Sequence, residues 1–363
     1  MKIALVHEFL NQLGGAERVL ENFLKIWPDA TLHVIFYDSK KTHGVFEPAR
    51  KKISYLDKWP LTHRHPKLFL ALLPKVIESF RFDDFDVVVS DSSSFAKGAK
   101  SRGKLHICYC HTPTRFLWTN DEYLGQQLYP APLRWLGQLI LPAIRQWDFR
   151  AAQGPDFYIA NSVNVQMRIK KYYKRDSIII PPPVDTEFFH PEESKEDYFL
   201  VAGRLEPYKK TDLVVAAFND LGLKLKIAGS GTQLSELKKK AGPNVEFLGR
   251  VSDEDLQKLY ARARAYIFPA EEDAGISIVE AQSCGIPVLA FGAGGALETV
   301  ISGQTGEFFK EQTAEAIKQA VKNFDSTKYD PLKIRRHAQQ YDKLIFQEKV
   351  RKFVEEKYLG FKK

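Results

Sequence analysis

Glu272 and Glu280 are separated by seven residues in the stretch Pro269 to Gly295, PAEEDAGISIVEAQSCGIPVLAFGAGG, and a small-residue turn lies between them. The turn Ala274, Gly275, Ile276 offers backbone amides at a helix start, where unpaired N–H groups and the helix dipole favour phosphate oxygens. A small residue is required where phosphate approaches the backbone closely. The pattern suits a diphosphate held on amides, with Glu272 reaching a group on one side and Glu280 a group on the other. Cations recur at a second point. Gly203 and Arg204 follow the apolar run YFLVA, and Lys209 and Lys210 come soon after. Fixed positive charge there would stabilise a departing diphosphate more than the bound one. A solvated basic turn is the alternative.

Two further positions carry chemistry. Gly14 and Gly15 form a tight turn that opens the helix ERVLENFLKIW, without the G-x-G-x-x-G spacing of a dinucleotide site. Beside them, Glu17 and Arg18 read as helix-start charges. His111 closes the run LHICYC and opens HTPTRFLW, where it is placed to hydrogen-bond a ligand hydroxyl or help position a reacting centre. The remaining histidines have no such context, and His63 and His65 around Arg64 read as a solvated basic turn. Asp83, Asp84 and Asp86 superficially resemble a metal cluster, but they precede a strand where turn aspartates are ordinary. Cys108, Cys110 and Cys284 have no metal-ligand spacing. Cys108 and Cys110 alternate along one strand, so both thiols are expected on one face of a sheet, packed and reduced. Reduced thiols imply a cytoplasmic location.

These residues need a β-loop-α-β scaffold. YIF is a short strand, ISIVEAQSCG a helix closed by Gly285 and Pro287, and Val288 to Phe291 the next strand. Glu272 then lies in a loop at the carboxyl edge of a sheet, the edge where open α/β sheets bind ligands, and Glu280 in the early helix. IALVHEF, ATLHVIFY, FDVVVSDSS, KLHICYCH and DFYIANS read as strands between helices, and DYFLVAGRL, LKLKIAGSG and NVEFLGRV begin a second series. With 363 residues, two domains are expected. The first is expected to end near Pro181–Pro183, and the polar run His190–Asp197 suits an interdomain linker. A charged helix from roughly Leu332 to Tyr358 ends the chain. No internal repeat is visible beyond the shared topology.

Composition excludes several classes. The hydrophobic set makes up 44% and charged residues 27%, the balance of a globular chain. MKIALVHEF reads as a strand rather than a signal peptide, and no window reaches the roughly 18 apolar residues of a spanning helix. The formal net charge is +8. Residues 1–185 hold 26 Lys and Arg against 18 Asp and Glu, and residues 186–363 hold 27 of each, so the whole excess lies in the first half. An anionic partner of that half is implied: a phospholipid surface, a lipid diphosphate or nucleic acid. Neither a stacking platform nor a nucleic-acid motif is present, which disfavours the last. Trp118, Tyr123, Tyr129, Trp135 and Trp147 are interleaved with LRWLGQLILPAIRQW, Leu133 to Trp147. That helix suits either a bilayer interface or a core position broken at Pro142.

The Glu-x7-Glu frame, GRLEPYK, the GGAE turn and HTPTRFLW together resemble retaining glycosyltransferases of family 4. The resemblance spans essentially the whole chain. It implies an α/β GT-B architecture in which two Rossmann-like domains with parallel sheets face an interdomain cleft. Implied are an N-terminal acceptor-binding domain at 1–185, a C-terminal nucleotide-sugar donor-binding domain at 186–345, and a helix at 346–363 crossing back to the first. In that family the first Glu of the frame meets the donor sugar and the second binds ribose. Glu272 thereby inherits a catalytic role with His111, which contacts the donor. Arg204 and Lys209 inherit the diphosphate, Gly14 and Gly15 the loop over the donor phosphates, and Ala274, Gly275, Ile276 and Glu280 further donor contacts. Lys210 stands where many members have Gly, and Ala274 where an aromatic is usual, which puts a stacking contact on the sugar in doubt.

The nearest branch transfers mannose from GDP-mannose to lipid-linked acceptors of bacterial lipopolysaccharide or exopolysaccharide. The resemblance therefore implies a nucleoside-diphosphate sugar and a lipid-linked saccharide as partners, no nucleic acid, no cofactor and no metal. It also implies a peripheral location at the inner face of the cytoplasmic membrane. Two alternatives stay open: a GT-B nucleotide-sugar epimerase, and a non-catalytic nucleotide-sugar-binding protein at a membrane.

Overall fold

The computed structural model describes residues 1–59, 61–63, 66–118 and 131–362, with side chains in 66–67 and 131–139 not described. Arg64, His65, Tyr123, Tyr129 and the side chain of Trp135, all weighed above, lie outside the described residues. The chain divides into two compact units, Met1–Pro183 with Phe346–Lys363, and Val184–Ile345.

The first unit is a seven-stranded parallel sheet. Its strands are β1 (Ile3–Leu10), β2 (Thr31–Tyr37), β3 (Arg50–Ile53), β4 (Val87–Ser92), β5 (Leu105–Cys110), β6 (Phe157–Ala160) and β7 (Ile178–Ile179), in the order β3-β2-β1-β4-β5-β6-β7. Strand residues alternate between two faces, and in the inner strands β1, β2, β4 and β5 both faces are buried, so these read as nearly continuous apolar runs. On one face Ile3, Leu5, Leu32, Val34, Val87, Val89 and Ile107 pack against Val19, Leu20 and Phe23 of the helix Gly15–Ile26. Phe346, Val350 and Val354 of the final helix join that same core. On the other face Ala4, Val6, Ile35 and Val88 meet Val76 and Ile77 of the helix Leu73–Ser79 and Ile144 of the helix Ala131–Ala151.

The described part of that long helix is built into the core. Ile144 is buried, Ile140, Leu141 and Trp147 pack on the same cluster, and the indole of Trp147 donates to Glu78 at 2.6 Å. Asp86 accepts from the Lys2 amide at 2.8 Å, and His63 lies 3.1 Å from Asp57 Oδ1. Cys108 and Cys110 share one buried cluster, as strand alternation requires, and all three cysteines are free.

The second unit is a six-stranded parallel sheet. Its strands are β8 (Phe199–Ala202), β9 (Leu225–Ala228), β10 (Val245–Gly249), β11 (Ala265–Phe268), β12 (Val288–Phe291) and β13 (Gly306–Phe309), in the order β10-β9-β8-β11-β12-β13. Alternation again splits the apolar residues: Leu200, Tyr266 and Phe268 enter one core, Phe199, Val201 and Ile267 the other. Both sheets are Rossmann-like.

Two sequence expectations are corrected. His190–Asp197 is no free linker, because it lies inside the second unit against the helix Asp253–Arg262. There Glu192 accepts from Arg262 Nε at 2.8 Å, Lys195 donates to the Ala261 carbonyl at 2.7 Å, and the Glu196 amide donates to the Arg262 carbonyl at 2.8 Å. The single terminal helix is in fact two, Pro331–Ala338 and Lys343–Phe361, divided by a short 3₁₀ turn, Gln339–Tyr341. Asp342 ends that turn, and its carboxylate accepts from Thr186 Oγ1 at 2.6 Å.

Candidate functional site

In each sheet the strand order reverses at one point, between β1 and β4 in the first unit and between β8 and β11 in the second. Crossovers leave that point in opposite directions, so the loops there part and open a crevice at the carboxyl ends. The residues singled out from sequence gather at these two points.

In the second unit, β8 runs into Gly203 and Arg204, and its neighbour β11 runs into Pro269–Glu272. The two loops line one small pocket of about 20 Å³ with Arg204, Lys209 and Glu272 in its wall. Glu272 and Lys209 form an ion pair, with side chains 22% and 20% exposed. Arg204 is exposed, and its Nη2 donates to the Tyr208 hydroxyl at 2.9 Å. The first loop is braced from β9, since the Gly203 amide donates to the Ala228 carbonyl and the Leu205 amide to the Ser230 carbonyl, each at 2.9 Å. Glu206 accepts from Thr232 Oγ1 at 2.6 Å and from the Thr232 amide at 3.2 Å, which ties this loop to the one after β9. Lys210 sits at φ 55°, a left-handed conformation that disfavours any side chain. That backbone need accounts for glycine as the common residue of the motif at this place.

The acidic loop is shaped by glycines. Gly275 caps the helix Ile276–Ser283 at φ 65° and ψ 45°, which turns the chain from loop to helix. Behind it, a Cβ on Gly294 would fall 2.3 Å from the Glu272 carbonyl oxygen, and one on Gly295 2.6 Å from Ala274 Cα. The GAGG that follows β12 is thus the backing plate of the Glu272–Ala274 loop, and the Gly295 amide donates to the Glu272 carbonyl at 2.8 Å. Glu280 lies partway along the helix, half-buried, with the Tyr260 hydroxyl 3.4 Å from its Oε2. Glu272 and Lys209 are therefore brought into contact, while Glu280 is placed on the helix behind the turn.

In the first unit, His111 and the glycine turn are joined through residues not chosen from sequence. His7 and Asp91 are register partners across β1 and β4. Asp91 is fully buried; its Oδ1 lies 2.6 Å from His111 Nε2 and its Oδ2 2.8 Å from His7 Nδ1. The other nitrogen of His7 lies 3.9 Å from Glu17 Oε1, and Glu17 Oε2 accepts the Gly14 amide at 2.8 Å. Glu17 is therefore the first-turn acid that caps this helix, as its helix-start reading expects, and it is also a buried strut under the glycine turn. Alongside, the buried Glu8 carboxylate accepts from the amides of Ser93, Ser94 and Ala96, and so shapes the loop after β4.

Charge alternates along this row. Burial alone would discharge His7, but hydrogen bonds and charges of Asp91 and Glu17 hold its pKa well above the usual 6.5. Burial would likewise raise the two acids, yet the imidazoles hold both Asp91 and Glu17 below the usual carboxylate range. The signs set a stability window. His7 stabilises the fold fully below its unfolded pKa and loses that contribution as pH rises through the higher folded value. The acids contribute above their unfolded values and lose it as pH falls through the lower folded ones. The segment carrying His111 is anchored by a buried ion pair, Lys97 Nζ to Asp148 Oδ1 at 2.5 Å, each side chain 1% exposed. Asp148 also accepts from Thr114 Oγ1 at 2.6 Å and from Trp118 Nε1 at 2.7 Å.

Two family models match the chain: "Glycosyltransferase Family 4" over residues 13–188 and "Glycosyl transferases group 1" over residues 185–342. A GDP-mannose-dependent α-(1-6)-phosphatidylinositol monomannoside mannosyltransferase of Mycolicibacterium smegmatis is 31% identical over 39% of this chain and 45% of its own. A probable sucrose-phosphate synthase of Thermosipho melanesiensis is 33% identical over 39% of this chain and 38% of its own. The alignments thus span less than half the length of these two relatives. Among solved structures, Anabaena HepE in complex with UDP superposes with a TM-score of 0.75 at 18% identity, covering 98% of this chain and 100% of that one. With a family 4 model on its first half, a group 1 model on its second and a GT-B neighbour over both, the chain belongs to the GT-B glycosyltransferases.

Proposed function

We propose that the protein is a retaining hexosyltransferase that moves mannose from GDP-mannose to a lipid-linked saccharide acceptor. The observation that carries this reading is the meeting of Lys209, Arg204 and Glu272 at the β8/β11 reversal, where cations for a diphosphate and a carboxylate for a sugar share one pocket. In this reaction the acceptor hydroxyl attacks the anomeric carbon, the bond from that carbon to the diphosphate oxygen breaks, and the acceptor proton passes to the departing phosphate. Arg204 and Lys209 stabilise the charge that grows on the leaving oxygens, with the amides of the Ala274–Ile276 turn adding to them. These side chains supply the positive charge, so the proposal includes no metal or cofactor. Glu272 orients the sugar hydroxyls and stabilises its positive transition state; Glu280 anchors the ribose. For Gly14, Gly15 and His111 the proposal keeps the roles that the resemblance implies, the glycines toward the donor phosphates and His111 toward the donor sugar.

Mannose and GDP are favoured by the mannosyltransferase among the relatives and by the sequence motifs. UDP-glucose is the second reading, favoured by HepE, of which one structure is a complex with that donor. A thermal-shift screen of GDP-mannose, UDP-glucose and UDP-N-acetylglucosamine separates them. Stabilisation by GDP compounds alone is the expected result, and stabilisation by UDP compounds alone overturns the mannosyl reading. Conversion of the donor sugar without any acceptor would select the epimerase alternative. No helix among the described residues is long and apolar enough to cross a membrane. The basic excess of residues 1–185 supports peripheral attachment of the first unit to an anionic inner membrane face, where a lipid-linked acceptor would lie.

Removing one charged diphosphate partner costs on the order of 1.5–3 kcal/mol. Lys209→Ala is therefore expected to weaken nucleoside diphosphate binding roughly ten- to a hundredfold and transfer at least as much. Isothermal calorimetry with GDP and UDP checks the first, and an unchanged Kd for both would remove Lys209 from the diphosphate site.

A further inference from the structure

We propose that Asp91 is a positioning residue for His111, and that Glu17, His7 and Asp91 form a buried relay fixing which nitrogen of His111 is presented to the substrate. The inference rests on the role given above to His111 in transfer. His111 is held at three points: its amide donates to the Ser92 carbonyl at 2.9 Å, its carbonyl accepts from Asn161 Nδ2 at 3.0 Å, and its Nε2 meets Asp91. The ring rests edge-on against Tyr109, with centroids 5.2 Å apart. Nδ1 is then the ring nitrogen left for a ligand.

A carboxylate on one imidazole nitrogen places the proton of the neutral ring there. Neutral His111 carries its proton on Nε2, with an acceptor lone pair on Nδ1; once protonated, it donates from Nδ1 to a sugar or phosphate oxygen. Asp91 cannot swing away, because its second oxygen is held by His7 across the β1–β4 register. His7 is steadied in turn by Glu17, whose other oxygen holds the Gly14 amide. One row of groups therefore runs from the glycine turn to His111 through the buried side chains of Glu17, His7 and Asp91.

The groups facing His111 are Asp91 from β4, His7 and Glu8 from β1, and Tyr109 from β5, with Glu17 beyond His7. Burial lowers the basicity of His111, Asp91 raises it by charge and hydrogen bond, His7 lowers it and Glu8 raises it; the outcome lies above the ordinary 6.5. Removing the charge of Asp91 leaves burial in command, so the His111 midpoint falls below that value.

The test is an NMR titration of the full-length protein labelled with ¹⁵N-histidine. In the unmodified protein, neutral His111 is expected as the Nε2–H tautomer with a midpoint above the ordinary value. In Asp91→Asn the midpoint falls, and kcat drops roughly 10- to 100-fold, the effect usual when an outer partner orienting an imidazole is lost. KM for the donor changes little. Finding the Nδ1–H tautomer in the unmodified protein overturns the relay whether or not the variant folds, and an unmoved midpoint in folded Asp91→Asn does the same. Transfer at the unmodified rate by His111→Ala would instead overturn the role in transfer on which the relay depends.

Discussion

Glu272→Ala is expected to lower kcat by roughly 10²–10³-fold, the loss usual when one preorganised group facing transition-state charge is removed, while nucleoside diphosphate affinity stays within a few-fold. The split follows from the proposed division of labour: Glu272 faces the sugar, whereas Arg204, Lys209 and the amides after Ala274 face the diphosphate. Because Lys209 pairs with Glu272, the variant also frees its ammonium, so the affinity for GDP is expected to rise slightly rather than fall. Single-turnover transfer measured beside calorimetry separates the two effects. Equal transfer by Glu272→Ala and the unmodified enzyme with the true acceptor would remove the central assignment; equal loss of nucleotide binding and transfer would make the residue a diphosphate ligand instead.

The largest effect on stability is expected at Lys97. Lys97→Met leaves the Asp148 carboxylate buried with two donors but no counter-charge, which typically costs about 3–5 kcal/mol. Replacing both members with apolar residues, Lys97→Met with Asp148→Leu, is expected to recover much of that loss, since neither charge then needs a partner. Urea unfolding followed by tryptophan fluorescence reports both. A single variant within about 1 kcal/mol of the unmodified protein would mean that water reaches the pair. Thr114 and Trp118 share Asp148, so the same substitution loosens the segment that begins at His111.

The residues of the β8/β11 pocket were legible because each kind of group announces itself locally. A cation after an apolar run, or an acid before a helix, needs only a strand that stops. Lys209 and Glu272 lie 63 positions apart, and their meeting required β8 and β11 to be neighbours, which the βα alternation implied. His7, Glu17 and Asp91 gave no comparable sign. His7 and Asp91 are 84 residues apart, and each looks like a polar interruption near the end of an apolar strand until the register pairs them. The polar residues at the carboxyl ends of IALVHEF and VVVSDSS were the available signal. His190–Asp197 misled for the opposite reason: its composition is that of a linker, while its partners wait some 70 residues downstream at Arg262. β3, with the sequence RKKI, and the two-residue β7 carry too little apolar pattern to announce a strand.

The last helix gives the first unit an unusual dependence on time. Phe346, Val350 and Val354 complete the core around Phe23 and Tyr109, yet they are the final part of that core to leave the ribosome, after the whole of Val184–Ile345. During synthesis the second unit has its full sequence while the first still lacks one wall. Nascent chains therefore carry an unsealed apolar seam beside Phe23, and the glycine turn at the head of the same helix waits for the last eighteen residues before the helix beneath it is fully packed.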